Sequence, residues 1–264
     1  MDGILLLDKV AGRSSNACLK LVKKIFNVKK CGYAGTLDPF ATGLLVVGCG
    51  KATKLLHNAS NMEKEYLFCV KFGEETDSGD IDGKIIAKKQ KDITIDDVKK
   101  EIKTNFIGVI NQIPPIYSAL KKNGKRLCDL AREGCDGNIL DAITKEKTRQ
   151  VEIITFDTVY WDGGNVFDFR VLCSKGTYIR KLAVDLARNL GTFGHVVSLR
   201  RVSVGPFNLT SSEYNVLNLS NLANCNVVDG KNLISSLPLS NFIINLSRSD
   251  DVIRKYKTFN TITA

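Results

Sequence analysis

Two short runs alternate as strands, with apolar residues recurring at a period of two, and they restrict the fold more than any other feature of the chain. Tyr66, Phe68, Val70 and Phe72 share one side of Glu65 to Phe72, and Phe167, Phe169, Val171 and Cys173 share one side of Val166 to Cys173. Such alternation describes strands, whose successive side chains point to opposite faces. Tyr178 to Leu190 reads as a strong amphipathic helix, with Ile179, Leu182, Ala183, Leu186, Ala187 and Leu190 inward. Ile4 to Leu7 reads as a buried strand, and Val151 to Tyr160 as a further one. Ser14 and Ser15 cap a helix that turns Cys18, Leu21, Val22, Ile25 and Phe26 to one face. Thr94 followed by Asp97 opens another helix, with Ile95, Val98 and Ile102 inward. Strands and helices mix without regular βαβ repeats. The expected class is α+β, a mixed and mostly antiparallel sheet flanked by helices.

A length of 264 residues allows one large domain, or one domain with an appendage. Hydrophobic residues at 44% and charged residues at 25% are globular values, which excludes a disordered or fibrous chain. No apolar run approaches the roughly 18 residues of a membrane span. Gly3 to Leu7 is short, lies between Asp2 and Asp8, and lacks the basic start of a signal peptide. A cytoplasmic protein is therefore expected. The cysteines at 18, 31, 49, 69, 128, 135, 173 and 225 include no C-x-x-C pair, and His57 and His195 are the only histidines. That spacing fits neither a disulfide framework nor a zinc module, so no metal is expected and most thiols read as small buried hydrophobes.

Lys and Arg total 38 against 28 Asp and Glu, a net charge of +10, and the excess is concentrated. Residues 1–60 carry nine basic side chains, and residues 170–201 carry seven against the single acid Asp185. If the two blocks converge, they form a face for a polyanion; by charge alone, solvated surface lysine reads equally well. Lys20 and Lys23 fall on the outer side of the first helix. The stretch 114–142 begins Pro114-Pro115 and carries Lys121, Lys122, Lys125, Arg126 and Arg132, with one short helical pattern in Leu127, Leu130 and Ala131. It reads as a basic, mobile insertion. After Pro206 the chain turns rich in Asn, Ser and Leu and loses periodicity.

Several motifs fail on residue identity. Gly50-Lys51 suggests a phosphate-binding loop, but Leu45 replaces its first glycine and Ala52 its Ser or Thr. Ser78-Gly-Asp80-Ile-Asp82-Gly83 suggests a calcium loop, but Lys89 stands where the bidentate Glu belongs. No nucleophile elbow is present. What remains is Gly32-Tyr-Ala-Gly-Thr-Leu-Asp38-Pro-Phe-Ala-Thr-Gly43-Leu-Leu45. Its aspartate sits in a glycine-dense turn, between a proline and an apolar strand. A turn of this kind can hold a reactive carboxylate rigidly at the lip of a cleft. It can equally be an Asx-turn in which Asp38 only satisfies local backbone donors.

The same segment, extended through Gly50-Lys-Ala-Thr-Lys54, resembles the catalytic motif of the TruB family of tRNA pseudouridine synthases. Further matching blocks are Gly3-Ile-Leu-Leu-Leu-Asp-Lys9, Lys64-Glu-Tyr66, Ile116-Tyr-Ser-Ala-Leu-Lys121, Cys173-Ser-Lys-Gly-Thr-Tyr-Ile-Arg180 and Leu199-Arg-Arg201. They stand in family order and span about residues 3–205. The resemblance implies a pseudouridine-synthase catalytic fold and an isomerase acting on uridine 55 in the T-loop of tRNA, without cofactor or metal. It implies Asp38 as the catalytic carboxylate, Tyr66 stacked on the flipped base and removing the carbon-5 proton, and Arg180 paired with Asp38. Tyr178 would line the uracil pocket, Leu199 would pack beside the base, and Lys9 would support the active-site turn. The basic insertion would grip the T-arm, with Lys121, Lys122, Lys125 and Arg126 on phosphates and Lys20 and Lys23 as further RNA contacts.

Two departures accompany the resemblance. Tyr33 stands where the family usually has His; it can stack but supplies no imidazole. Residues 1–235 read as the catalytic domain, and 236–264 as a short segment at the position of the usual PUA domain, which is expected to be absent or vestigial. No obligate protein partner is expected. The rival readings are a non-catalytic tRNA-binding or tRNA-folding protein on the same scaffold, and a synthase acting on another RNA.

Overall fold

A computed structural model describes residues 2–210, 215–219 and 243–245. In chain order the first strands are β1 (Gly3–Lys9), β2 (Cys31–Ala34), β3 (Thr42–Cys49), β4 (Lys64–Phe72), β5 (Glu74–Thr76), β6 (Ile85–Lys88) and β7 (Gly108–Gln112). They are followed by β8 (Lys121–Lys122), β9 (Lys125–Arg126), β10 (Arg149–Trp161), β11 (Val166–Cys173), β12 (Gly194–Val204), β13 (Phe207–Asn208), β14 (Val216–Asn218) and β15 (Ile243–Asn245). The helices are α1 (Ser15–Ile25), α2 (Leu56–Asn61), α3 (Ile95–Asn105), α4 (Leu127–Arg132), α5 (Gly137–Glu146) and α6 (Ile179–Asn189), with a 3₁₀ segment at Gly50–Leu55. The chain divides into two compact units, one drawn from Met1–Tyr66 and Arg200–Ala264, the other from Leu67–Leu199.

The first unit is a mixed sheet in the order β14-β1-β3-β12. β3 runs antiparallel to β1 and parallel to β12. The near-continuous apolar run in β1 is explained by burial on both faces. Leu5 and Leu7 pack with Cys18, Val22, Leu45 and Val47 under α1. Ile4 and Leu6 face the other way, onto Leu44, Val46, Ala52, Ala59 and Phe207. α1 is capped by Ser14, whose side chain accepts from Ala17 N.

In the second unit β10 lies between β11 and β7 and is antiparallel to both. Its aromatic face is a chain of ring contacts: Phe68 stacks on Phe169 at 5.3 Å, Phe169 meets Phe156 edge-on at 5.4 Å, and Phe156 meets Phe106 at 6.2 Å. α6 buries Ile179, Leu182, Ala183, Leu186 and Ala187, so its apolar stripe lies where the spacing placed it. α3 begins in a complete capping box between Thr94 and Asp97. The expectation of a mixed, mostly antiparallel sheet flanked by helices is borne out.

The segment 114–142 differs from its sequence reading in one respect. It contains not one helix but two, α4 and α5, after the hairpin of β8 and β9. Leu127, Leu140 and Ile143 form a small core of their own, backed by Ile116, Leu120, Leu130, Ala131 and Cys135. α5 was missed because its apolar stripe is short and begins at an Asp-Gly-Asn sequence that reads as a turn. That sequence is the helix start, with Asp136 accepting from Asn138 N at 2.8 Å. The helix continues to Glu146, past the expected end of the insertion.

Among the described residues no helix is long and apolar enough to cross a membrane. Of the expected C-terminal segment 236–264, only 243–245 lie among the described residues, where they pair with β1.

Candidate active site

Asp38 lies half-buried in the loop between β2 and β3. Its loop is held by side chains bonding to backbone, and three residues do most of this. Ser15 Oγ donates to Leu37 O and accepts from Leu37 N, both at 2.9 Å, directly beside Asp38. Ser15 is thus not a second cap for α1; it is wholly buried and turned towards the loop. Lys9, also wholly buried, donates its ammonium to Val10 O at 3.0 Å, Pro39 O at 3.1 Å and Ala41 O. Arg201 reaches the loop's two ends, with Nε donating to Leu44 O at 2.8 Å and Nη2 to Gly35 O at 3.0 Å. Gly43 makes the close approach possible. It has φ +102°, and a Cβ there would lie 2.2 Å from Arg201 O.

Burial pushes the Lys9 ammonium below the ordinary lysine value and the Arg201 charge works in the same direction, while Cys18 and Asp38 oppose them. Asp38 and the Lys9 ammonium therefore feel each other's charge. Tyr66, the last residue of this unit's first chain segment, is buried on β4. Tyr33 is half-buried on β2 and packs against the core under α1. Lys20 and Lys23 are exposed on the outer side of α1. Arg200, next to the loop-holding Arg201, forms a two-pronged ion pair with Asp8 at 2.8 and 3.0 Å.

Arg180, Tyr178 and Leu199 belong to the second unit. Although Arg180 opens an amphipathic helix, it is not on the wetted side; it is only 4% exposed. Its guanidinium donates to Ser78 O and Tyr117 O, both at 2.7 Å, and lies 3.4 Å from the Asp80 carboxylate. Asp80 is itself buried and accepts from Ser78 Oγ at 2.7 Å and Asp82 N at 3.1 Å. A buried charge pair of this kind is tolerable only when its remaining donors and acceptors are met, as these are. Asp80 was visible in the sequence only as part of the failed calcium loop. Among the described residues no cluster of His, Cys, Asp and Glu could hold a metal ion.

Tyr178 is half-buried as the N-cap of α6, under the Arg149 guanidinium, whose carbon lies 4.5 Å from the ring centre. Leu199 is buried on β12. In the insertion, Lys122 pairs with Glu146 and Lys125 with Glu133, each at 3.0 Å, while Lys121 and Arg126 are exposed. Lys121 and Arg126 form no ion pair among the described residues.

Solved structures share this fold. A crystal structure of a Cbf5–Nop10–Gar1 complex superposes with a TM-score of 0.62 at 27% identity, covering 84% of this chain and 54% of that one. A structure of an H/ACA RNP bound to a substrate RNA containing 2′-deoxyuridine superposes with a TM-score of 0.60 at 25% identity, covering 84% and 52%. The chain spans about half the length of these solved structures. The fold is thus shared with these structures, and the class, pseudouridylate synthase, is defined by two family models.

The family model described as TruB family pseudouridylate synthase (N terminal domain) matches residues 23–179, and one described as tRNA pseudouridylate synthase B C-terminal domain matches 180–243. The chain belongs to the TruB family of pseudouridylate synthases. Curated relatives agree. A protein of Bordetella avium (strain 197N) called tRNA pseudouridine synthase B is 44% identical over 211 residues, covering 79% of this chain and 83% of that one. One of Francisella philomiragia with the same name is 41% identical over 224 residues, covering 84% and 70%.

Proposed function

We propose that this protein isomerises uridine 55 in the T-loop of tRNA to pseudouridine, with Asp38 as the catalytic carboxylate. The family membership and the relatives' shared name support the reaction class and the tRNA substrate. The observation that carries the assignment to Asp38 is its loop, fastened by Ser15, Lys9 and Arg201 through backbone bonds. A carboxylate that must meet one ribose carbon gains rate from being held in place before the substrate arrives.

The reaction breaks the bond between N1 of uracil and C1′ of the ribose and forms one between C5 and C1′. The C5 proton leaves and N1 takes one up, so atoms balance without any co-reactant. Asp38 either attacks C1′ or takes the C2′ proton. Tyr66 stacks on the base and removes the C5 proton; an ordinary tyrosine has a pKa near 10, so that role needs either a tuned site or an acidified C5 proton. Arg180 pairs with Asp38 and aims it, and Tyr178 and Leu199 line the uracil pocket. The uridine must leave its stack to enter. Lys121, Lys122, Lys125 and Arg126 of the insertion, with Lys20 and Lys23, bear on RNA phosphates. Residues 1–235 form the catalytic domain, and the protein works in the cytoplasm without an obligate partner.

The test is tritium release from T-arm RNA labelled at carbon 5 of uridine, with wild type set against Asp38→Asn. Release by wild type alone, with RNA binding intact in both, is the expected result, and mapping the product places it at position 55. No release by wild type that still binds the RNA would favour a binding or folding protein on this scaffold.

A further inference from the structure

The two chain segments that enter and leave the basic insertion both grip the segment that carries Tyr178 and Arg180. Gln112 is the last residue of β7 and Arg149 the first of β10, and they stand directly opposite each other in the antiparallel register. Everything between them in sequence is the insertion with its flanks. Gln112, 1% exposed, uses both ends of its amide on one residue. Its Oε1 accepts from Tyr178 N at 2.7 Å and its Nε2 donates to Tyr178 O at 3.1 Å. That carbonyl also accepts the first helical bond of α6, from Leu182 N at 3.0 Å, so Gln112 secures the helix start. α6 has no side-chain cap of its own. Arg149 donates Nη2 to Gly176 O while its guanidinium covers the Tyr178 ring. Gly176 has φ +83°, and a Cβ there would stand 3.3 Å from Arg149 Cζ, so the loop is shaped to accept that side chain.

We infer that Gln112 and Arg149 are positioning residues for the base pocket. They set Tyr178 and, two residues later, Arg180, and they tie that placement to the feet of the RNA-gripping insertion. The inference rests on the proposed synthase reaction and deepens it. The side-chain hydrogen bonds of these two residues go to the backbone of 176–178 and the Arg149 guanidinium lies over the Tyr178 ring, so on this inference they act through those groups. Their loss should therefore appear in the chemical step while RNA affinity stays the same.

The experiment compares Gln112→Met, Arg149→Met and Arg149→Lys with wild type in three measurements. These are single-turnover tritium release, the Kd for T-arm RNA, and hydrogen exchange of the peptide spanning 174–182. Both Met variants are expected to lower the single-turnover rate about 10- to 100-fold, the size associated with a misplacement near 1 Å. Kd should stay within about twofold, and exchange should quicken at 174–182. Arg149→Lys keeps a donor for Gly176 O but loses the planar cover, so it should recover part of the rate. Unchanged exchange at 174–182, an unchanged rate, or a rate loss matched by lost affinity would each overturn the inference. If Gln112→Met does not fold, the half-exposed Arg149 decides the matter. If wild type releases no tritium, the synthase reading fails, and the exchange comparison still judges the positioning.

Discussion

Asp38 sits in a loop that residues distant in sequence help to hold. Ser15, 23 positions away, supplies both bonds to Leu37, and Arg201 reaches Gly35 and Leu44 from β12. Replacing Ser15 by Ala leaves a buried N–H and a buried C=O without partners. That should cost about 1–3 kcal/mol in urea unfolding. It should slow tritium release about 10- to 100-fold through the displaced carboxylate, while a Ser15→Thr change that keeps the hydroxyl recovers part of both. Proximity to Pro39 and the glycines drew attention to Asp38, and family resemblance supplied its role. Ser15 was legible only as a helix cap, because a hydroxyl that serves a distant loop looks in sequence like one that serves its own helix. The cysteines allow a second test at this scale. Burial pushes the Cys49 thiol up to about 11 from an ordinary value of 9.0, with the neighbouring Cys31 adding to it. The folded chain then holds a proton that the unfolded chain releases, so this stabilisation is complete below pH 9 and is lost as pH climbs from 9 to about 11. Cys49→Ala should flatten the fall of unfolding free energy across that window in urea titrations at stepped pH.

Among the elements, the strands with strict alternation and the helices with full amphipathic stripes were legible in advance, since their periodicity is set by burial on one face. The insertion was not. Its helices are only six and ten residues long, and its core is a handful of side chains collected from two helices and the segments beside them. Periodicity needs several turns to declare itself, and short elements are stabilised mainly by what they pack against. Leu127 is wholly buried at the centre of this core. Leu127→Ala should cost about 2–5 kcal/mol locally, more than so small a cluster can spare. Limited proteolysis should then cut within 121–146 while the circular dichroism of the remaining sheet and helices persists. T-arm affinity should fall with it if the insertion grips the RNA. Within the insertion the cations are not equal. Lys122 and Lys125 already hold Glu146 and Glu133, whereas Lys121 and Arg126 are exposed. Removing Lys121 or Arg126 should therefore weaken RNA binding more than removing either paired lysine.

For the whole molecule, a net charge of +10 makes binding to any nucleic acid salt-dependent. A plot of log Kd for T-arm RNA against log salt should be steep and linear, and Lys121→Ala should reduce its slope by about 1 if that lysine neutralises one phosphate. An unaltered slope would remove Lys121 from the RNA face. The sequence by itself determined the class of fold, the elements with long periodic patterns, the family through ordered motif blocks, and the identity of Asp38, Tyr66 and Arg180 as residues to watch. These are properties of short stretches, where periodicity and residue type are written locally. Only the tertiary structure decided which side chains hold those residues. Arg201 on the Asp38 loop, Asp80 beside Arg180, and Gln112 with Arg149 on Tyr178 each join segments far apart in the chain. A buried backbone group must find a partner wherever the fold brings one, and no local pattern in the sequence says which distant polar side chain that will be.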